Sequence, residues 1–349
     1  MREEELMAGS ILATGQTLCH DQAGRVVPCA GTGQDGEFRF GRPWPLPRFV
    51  VQGGTVVDRL TGLVWSRDAN PPGFPLTWPE ALEAVARLNA DGYAGHADWR
   101  LPNRRELRSL MSLAAKNPAL PDGHPFQNVF LGWYWSSTSA AMDPAYAWYV
   151  HLKGARMFYG RKDQYYLVWP VRGGAPDALL ATGQRRCYDA AGREIACAGS
   201  GQDGELQRGR ALPEPRFLAE GETVADLLTG LRWLRKADCA GGPVDWQQAL
   251  AAVAALNRQA MAGITGWRLP NINELESLVD CAAHSPALPE DHPFISLHEG
   301  FWSATTSLFE TDWAWVLYLV KGACGVGYKP GKTFAVWPVC QADSAAAGT

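Results

Sequence analysis

A chain of 349 residues with 46% apolar and 19% charged residues is long enough for two domains with cores of their own, and too apolar to be disordered. Its net charge of −4 divides unevenly, 18 Lys+Arg against 16 Asp+Glu in residues 1–174 and 14 against 20 in residues 175–349. Neither half has the dense basic stripe that a phosphate backbone requires, which argues against a nucleic-acid partner, and no run approaches the ~20 apolar residues of a membrane span.

In chain order, the first element is a hairpin flanked by Cys19 and Cys29 and turning at Asp21-Gln22-Ala23-Gly24, where Asp and Gly supply the turn geometry. A Gly33-Gln34-Asp35-Gly36-Glu37 loop follows, then strand patterns over 55–58 and 63–65. A helix is expected after Thr77-x-x-Glu80, a capping-box pattern, with Leu82, Val85, Ala86 and Leu88 at helical spacing. Asn103-x-x-Glu106 opens a second, shorter one. Beyond it, Tyr146, Trp148, Val150 and Leu152 alternate as one face of a strand, and Pro170 marks a strand end or edge.

The whole series then returns at an offset of about 168 residues. Thr14-Gly15-Gln16 recurs as Thr182-Gly183-Gln184, Gly33-Gln34-Asp35-Gly36-Glu37 as Gly201-Gln202-Asp203-Gly204-Glu205, and Trp99-Arg100-Leu101-Pro102-Asn103 as Trp267-Arg268-Leu269-Pro270-Asn271. The boundary falls in Gly173-Gly174-Ala175-Pro176-Asp177, giving repeats 1–174 and 175–349. Each is expected to be α+β, with two short helices packed on antiparallel sheets and a disulfide-closed N-terminal hairpin. Of 15 tryptophans, all but Trp44, Trp133 and Trp313 pair across the repeat, which reads as core packing and not as ligand platforms.

Eight cysteines fall into two kinds. Cys19/Cys29 and Cys187/Cys197 share one spacing, so each pair is expected to bridge its own hairpin. Cys239, Cys281, Cys324 and Cys340 have no counterparts in the first copy, where Pro71, Leu113, Arg156 and Arg172 stand. Their joint absence suggests two further bridges, with Cys239–Cys281 and Cys324–Cys340 favoured among three connectivities. No C-x-x-C spacing supports a zinc site. Four disulfides would place the protein in an oxidising compartment, extracellular, periplasmic or at the cell surface. Residues 1–5 show no signal-peptide pattern, so the expectation is a signal already removed.

Asp58-Arg59-Leu60-Thr61-Gly62-Leu63-Val64-Trp65, Trp99-Arg100-Leu101-Pro102-Asn103-x-x-Glu106-Leu107, Trp135-Ser136-Ser137-Thr138 and Val168-Trp169-Pro170-Val171-Arg172, together with their second copies, resemble one family. It is the C-terminal domain family of the Legionella collagen-like adhesin, covering roughly residues 54–172 and 222–340. The resemblance implies a C-type-lectin-like fold distantly related to the formylglycine-generating enzymes, and a bacterial extracellular or envelope binding domain. It carries no ligand residues over, and the acidic second copy departs from the basic surface that sulfated glycans favour.

Catalysis is not expected. Among the histidines only His124 and His292 recur, each in a His-Pro-Phe, and Glu106 and Glu274 are explained by helix capping. The paired Gly-Gln-Asp-Gly-Glu loops have too few oxygen ligands for Ca²⁺, so neither a metal nor a cofactor is expected. Ligand binding is expected in loops near the last strands, where the copies differ: Arg156, Tyr159, Arg161, Lys162 and Tyr165 with Trp133 in the first, and Tyr328, Lys329 and Lys332 in the second. The reading is a non-enzymatic adhesion module for a glycan or surface polymer. The alternatives are a structural subunit of an envelope assembly, with a protein partner, and a variable ligand-display protein of a diversity-generating retroelement. The oligomeric state is left open.

Overall fold

The computed structural model describes residues 11–175 and 177–341. A first hairpin pairs β1 (Cys19–His20) with β2 (Val26–Val27) and is followed by the single turn α1 (Asp35–Phe38). The first lectin-like domain then contains β3 (Phe49–Gln52), β4 (Thr55–Asp58), β5 (Leu63–Ser66), α2 (Trp78–Ala90), α3 (Arg104–Ser109), β6 (Trp133–Ser139), β7 (Tyr146–His151), β8 (Arg156–Arg161) and β9 (Val171–Gly173). A second hairpin, β10 (Cys187–Tyr188) with β11 (Glu194–Ile195), precedes α4 (Asp203–Leu206). The second domain repeats the first: β12 (Phe217–Glu220), β13 (Thr223–Asp226), β14 (Leu231–Leu234), α5 (Trp246–Arg258), α6 (Ile272–Ser277), β15 (Gly300–Thr306), β16 (Trp313–Tyr318), β17 (Ala323–Tyr328) and β18 (Val339–Gln341). The fold is thus two repeated domains, mostly antiparallel, with a few short helices and a disulfide-closed hairpin for each copy.

The shared motifs form the frame of each domain. Asp58, at the end of β4, accepts from Arg48 Nε and Nη2 at 3.0 and 2.8 Å and from Leu60 N and Thr61 Oγ1 at 3.0 Å each, which fixes the tight turn into β5. Asp226 and Arg216 repeat the bidentate pair at the same distances. In Trp-Arg-Leu-Pro-Asn, the Trp99 indole donates to Tyr93 O at 2.9 Å, and Arg100 pairs with Glu106 at 2.5 and 2.7 Å. Asn103 and Glu106 exchange the two bonds of a capping box, each 2.9 Å. Glu106 is therefore a scaffold residue with its carboxylate fully engaged.

In the first domain, β3, β4, β5 and β9 form one antiparallel sheet, and β6, β7 and β8 a meander. The amphipathic α2 lays Trp78, Ala81, Ala84 and Val85 against Trp99, Leu101, Trp135, Ala147 and Val168. Trp246, Ala249, Leu250 and Val253 do the same in the second domain against Trp267, Leu269, Trp302, Ala314 and Val336. Every tryptophan that pairs across the repeat is 3% exposed or less where its exposure is given, so the periodic aromatics form the core.

Compactness does not follow the repeat boundary expected at residues 174/175. One compact unit comprises residues 44–211 with 280–282, and the other the remaining described residues, 11–43, 212–279 and 283–341. Each hairpin therefore docks on the lectin-like domain of the other copy. The cause is a set of buried polar contacts that the repeat motifs supply twice. Asp203 accepts from Thr182 in its own hairpin segment and from Thr138 on β6, both at 2.7 Å. Asp35 likewise accepts from Thr14 at 2.8 Å and from Thr305 on β15 at 2.7 Å. Gln184 exchanges two 2.9 Å bonds with the Ser139 backbone, and Gln16 exchanges 2.5 and 3.2 Å bonds with the Thr306 backbone.

The hairpins carry the disulfides Cys19–Cys29 and Cys187–Cys197. The two further bridges expected from the sequence are not formed: Cys239, Cys281, Cys324 and Cys340 are not disulfide-linked. Cys239 packs on the apolar cluster of the second domain, to which Cys340 belongs. Cys324 sits on β17 opposite Leu317, while Cys340 sits on β18 opposite Arg232, in a different sheet. Burial raises the thiol pKa of all three for which a shift is resolved, to about 12 at Cys239 and about 11 at Cys340, so these side chains behave as small apolar residues.

Candidate functional site

The segments expected to be ligand loops are strands. Arg156 to Arg161 is β8 and Ala323 to Tyr328 is β17, so strand alternation divides the candidate residues between two faces. On one face of the first copy's meander, register aligns Trp133 on β6 with His151 on β7 and Arg156 on β8. Tyr159 and Arg161 point the opposite way. Tyr159 packs edge-on against Trp148 at 5.2 Å, and Arg161 is paired with exposed Asp163 at 3.2 Å.

Two candidates are corrected outright. Lys162 and Lys329 are fully buried, not ligand donors at a surface. The Lys162 ammonium lies 4.0 Å from the Trp78 ring centre and donates to the Tyr188 and Asp189 carbonyls at 3.2 Å each, pinning the turn of the second hairpin. Lys329 repeats this over Trp246 at 4.2 Å, donating to His20 O, Asp21 O and Thr306 Oγ1 at 3.3, 3.2 and 3.1 Å. Desolvation by burial brings both down to about 7, despite neighbouring aspartates that act the other way. Tyr328 and Lys332 remain exposed, Tyr328 beside Trp313 at 5.6 Å.

The remaining candidates of the first copy form a built aromatic face. Trp133, the first residue of β6, is 44% exposed, while the rest of the strand is buried. Its ring stacks on His151 with centres 4.9 Å apart and planes 13° off parallel, and lies 5.6 Å from Tyr166. Tyr166 is itself fixed by Trp135 at 4.3 Å and Tyr149 at 5.0 Å, so the platform is braced from beneath. Tyr165, Phe130 and Leu131 are exposed in the adjoining segments. Desolvation holds His151 below the usual histidine range, and the positive charges of Arg156 and Lys153 lower it further against the effect of the Leu131 backbone bond, so the ring is neutral at pH 7.

Reasoning from sequence named Trp133 and Tyr165 but missed His151 and Tyr166. His151 is a partner only through cross-strand register, which no local pattern encodes. The second copy lacks the platform: the equivalent row is Gly300, Tyr318 and Ala323, and this register corrects the counterpart of Cys324 from Arg156 to Met157. A Cβ at Gly300 would lie 2.6 Å from the Phe334 ring, so a side chain where Trp133 stands would require that ring to move. A separate cavity of about 490 Å³ lies beside Trp44, Leu46, Phe49 and Asp122. Among the described residues no group of three or more His, Cys, Asp or Glu could hold a metal ion, and no helix is long and apolar enough to cross a membrane. The Gly-Gln-Asp-Gly-Glu loops are turns held by their own side chains: Glu37 accepts from Gly31 N and Gly33 N at 2.6 and 2.8 Å, while Asp35 serves the docking contacts above.

Residues 54–172 and 222–340 each match the family model described as the Lcl C-terminal domain. No curated protein matches the chain.

Proposed function

The chain belongs to the Lcl C-terminal domain family, and on that premise we propose that it is a non-enzymatic binding module whose first copy holds a glycan or surface polymer on the Trp133 face. The observation that carries this reading is the exposed Trp133 ring, stacked on His151 and present in one copy only. An exposed indole costs solubility and contributes nothing to the core, so its bracing by His151 and Tyr166 fits a surface that meets a flat, partly apolar ligand such as a pyranose ring. Arg156 and Lys153 beside His151 suit a sugar that carries sulfate or carboxylate. The family is adhesin-like, and the hairpin disulfides are consistent with an extracellular or envelope location.

The test is binding of the full chain to an array of neutral, uronate-bearing and sulfated glycans, followed by Trp133→Ala. The expected loss is about tenfold in affinity, ~1.4 kcal/mol, with an unchanged melting temperature and weaker binding at higher salt. Binding that survives Trp133→Ala undiminished refutes the site. A blank array moves the weight to a structural subunit of an envelope assembly.

A further inference from the structure

The two hairpins dock by the same contacts but stand differently in the chain. The second hairpin follows the first domain directly and docks on it, giving a unit that is continuous over residues 44–211 apart from residues 280–282. The second domain's docking face takes the first hairpin, residues 11–43, through Asp35 with Thr305, Gln16 with Thr306, and Lys329 with the His20 and Asp21 carbonyls. A turn contact completes the seat: Thr311 donates to Gly24 O at 2.9 Å, and Gly24 has φ of +80° with no room for a Cβ beside Thr311.

The chain is therefore a donor hairpin, a self-contained domain with its own hairpin, and an acceptor domain. Donor and acceptor are different surfaces, so their contact is of the head-to-tail kind, which closes within one molecule or joins one molecule to the next. The contacts between them are hydrogen bonds centred on Asp35, Gln16 and Lys329, joined by Asn271 and Asn273 donating to the Phe40 and Leu12 carbonyls and by the Arg268 guanidinium 3.7 Å from the Phe40 ring centre, and the link after the donor, Arg42-Pro43-Trp44-Pro45-Leu46-Pro47, has Pro43, Leu46 and Pro47 exposed. Three of its six residues are proline, whose fixed φ limits the conformations the link can take.

We infer that the second domain's docking face is a specific binding site for the N-terminal hairpin of this protein, and that a second copy of the chain supplies it when the hairpin is not seated in its own molecule. Residues 11–43 of one copy then sit on the 222–341 domain of the next, through the contacts seen here within one chain. Joined copies present several Trp133 faces, which raises avidity for a repeated ligand. The inference does not depend on the glycan reading.

Complementation tests it. One full-length variant has a disabled donor, Gln16→Ala with Asp35→Ala, and the other a disabled acceptor, Thr305→Ala with Lys329→Met. The second hairpin and its seat are untouched in both. Unfolded together and refolded, differently tagged variants are expected to form a 1:1 pair by size exclusion with light scattering, while each alone stays monomeric. Folded variants that never pair overturn the inference. If either variant fails to fold by circular dichroism, the wild-type chain decides: refolding at high concentration is expected to yield dimers that persist on dilution, and monomer at every concentration overturns it.

Discussion

Asp35 gives the most direct test of how the hairpin is held. The carboxylate is fully buried, accepts from two threonine hydroxyls, and has its pKa raised from 3.8 to about 6, chiefly by desolvation, with the threonine bonds opposing the rise. A folded pKa above the unfolded value means that the folded state holds the proton more tightly. The group's contribution to stability is then fully present below 3.8 and is lost as pH rises through about 6. A gap of roughly two units corresponds to ~3 kcal/mol as an upper bound. Asp35→Asn keeps an acceptor oxygen for the hydroxyls and removes the buried charge. The variant should match the wild type near pH 4 and be the more stable by up to ~3 kcal/mol at pH 7.5, measured by urea unfolding across that range. Other groups titrate in this window, His20 among them, whose lowered pKa acts in the opposite sense. Taking the difference between variant and wild type cancels them. A variant that is less stable than the wild type at pH 7.5 would show that the threonines need the ionised carboxylate more than burial opposes it, and would refute the reasoning.

Three further outcomes follow from the geometry. Glu106→Ala leaves Arg100 buried without its bidentate partner and should cost ~3–5 kcal/mol, against less than 1 if the pair were incidental; chemical denaturation decides. Replacing Cys19 and Cys29 with Ser opens a loop with a sequence separation of 10 and should cost ~3 kcal/mol in the chain-entropy model, as a loss of hairpin docking read by hydrogen exchange over residues 11–43. Thiol titration should find four groups that react in denaturant and little or none in the native protein at pH 8, because Cys239, Cys281, Cys324 and Cys340 are mostly buried and their resolved pKa shifts are upward. A denatured chain without reactive thiols would restore the two bridges that the structure lacks.

What the sequence made legible was whatever is local or repeated. Capping boxes at Thr77 and Asn103, alternation in 146–152 and the paired tryptophans all act through neighbours in the chain, so their periodicity shows in one dimension. Lys162 and Lys329 show where this fails. In sequence each is a cation in a polar, aromatic stretch, a composition that suggests an exposed binding surface. In the fold each is the buried pin of a hairpin that lies more than twenty residues away for Lys162 and about three hundred for Lys329. The signal was nevertheless present in the repeat, because both copies keep a Lys at this place while the residues around it change. A cation retained in two copies that otherwise diverge marks a structural contact common to both. Trp133 is the converse case, an aromatic that one copy has and the other replaces with Gly300 beside the Phe334 ring. The same comparison that assigns the lysines to the frame therefore assigns Trp133 to the surface, and it separates the part of the molecule that holds the hairpins from the part free to meet a ligand.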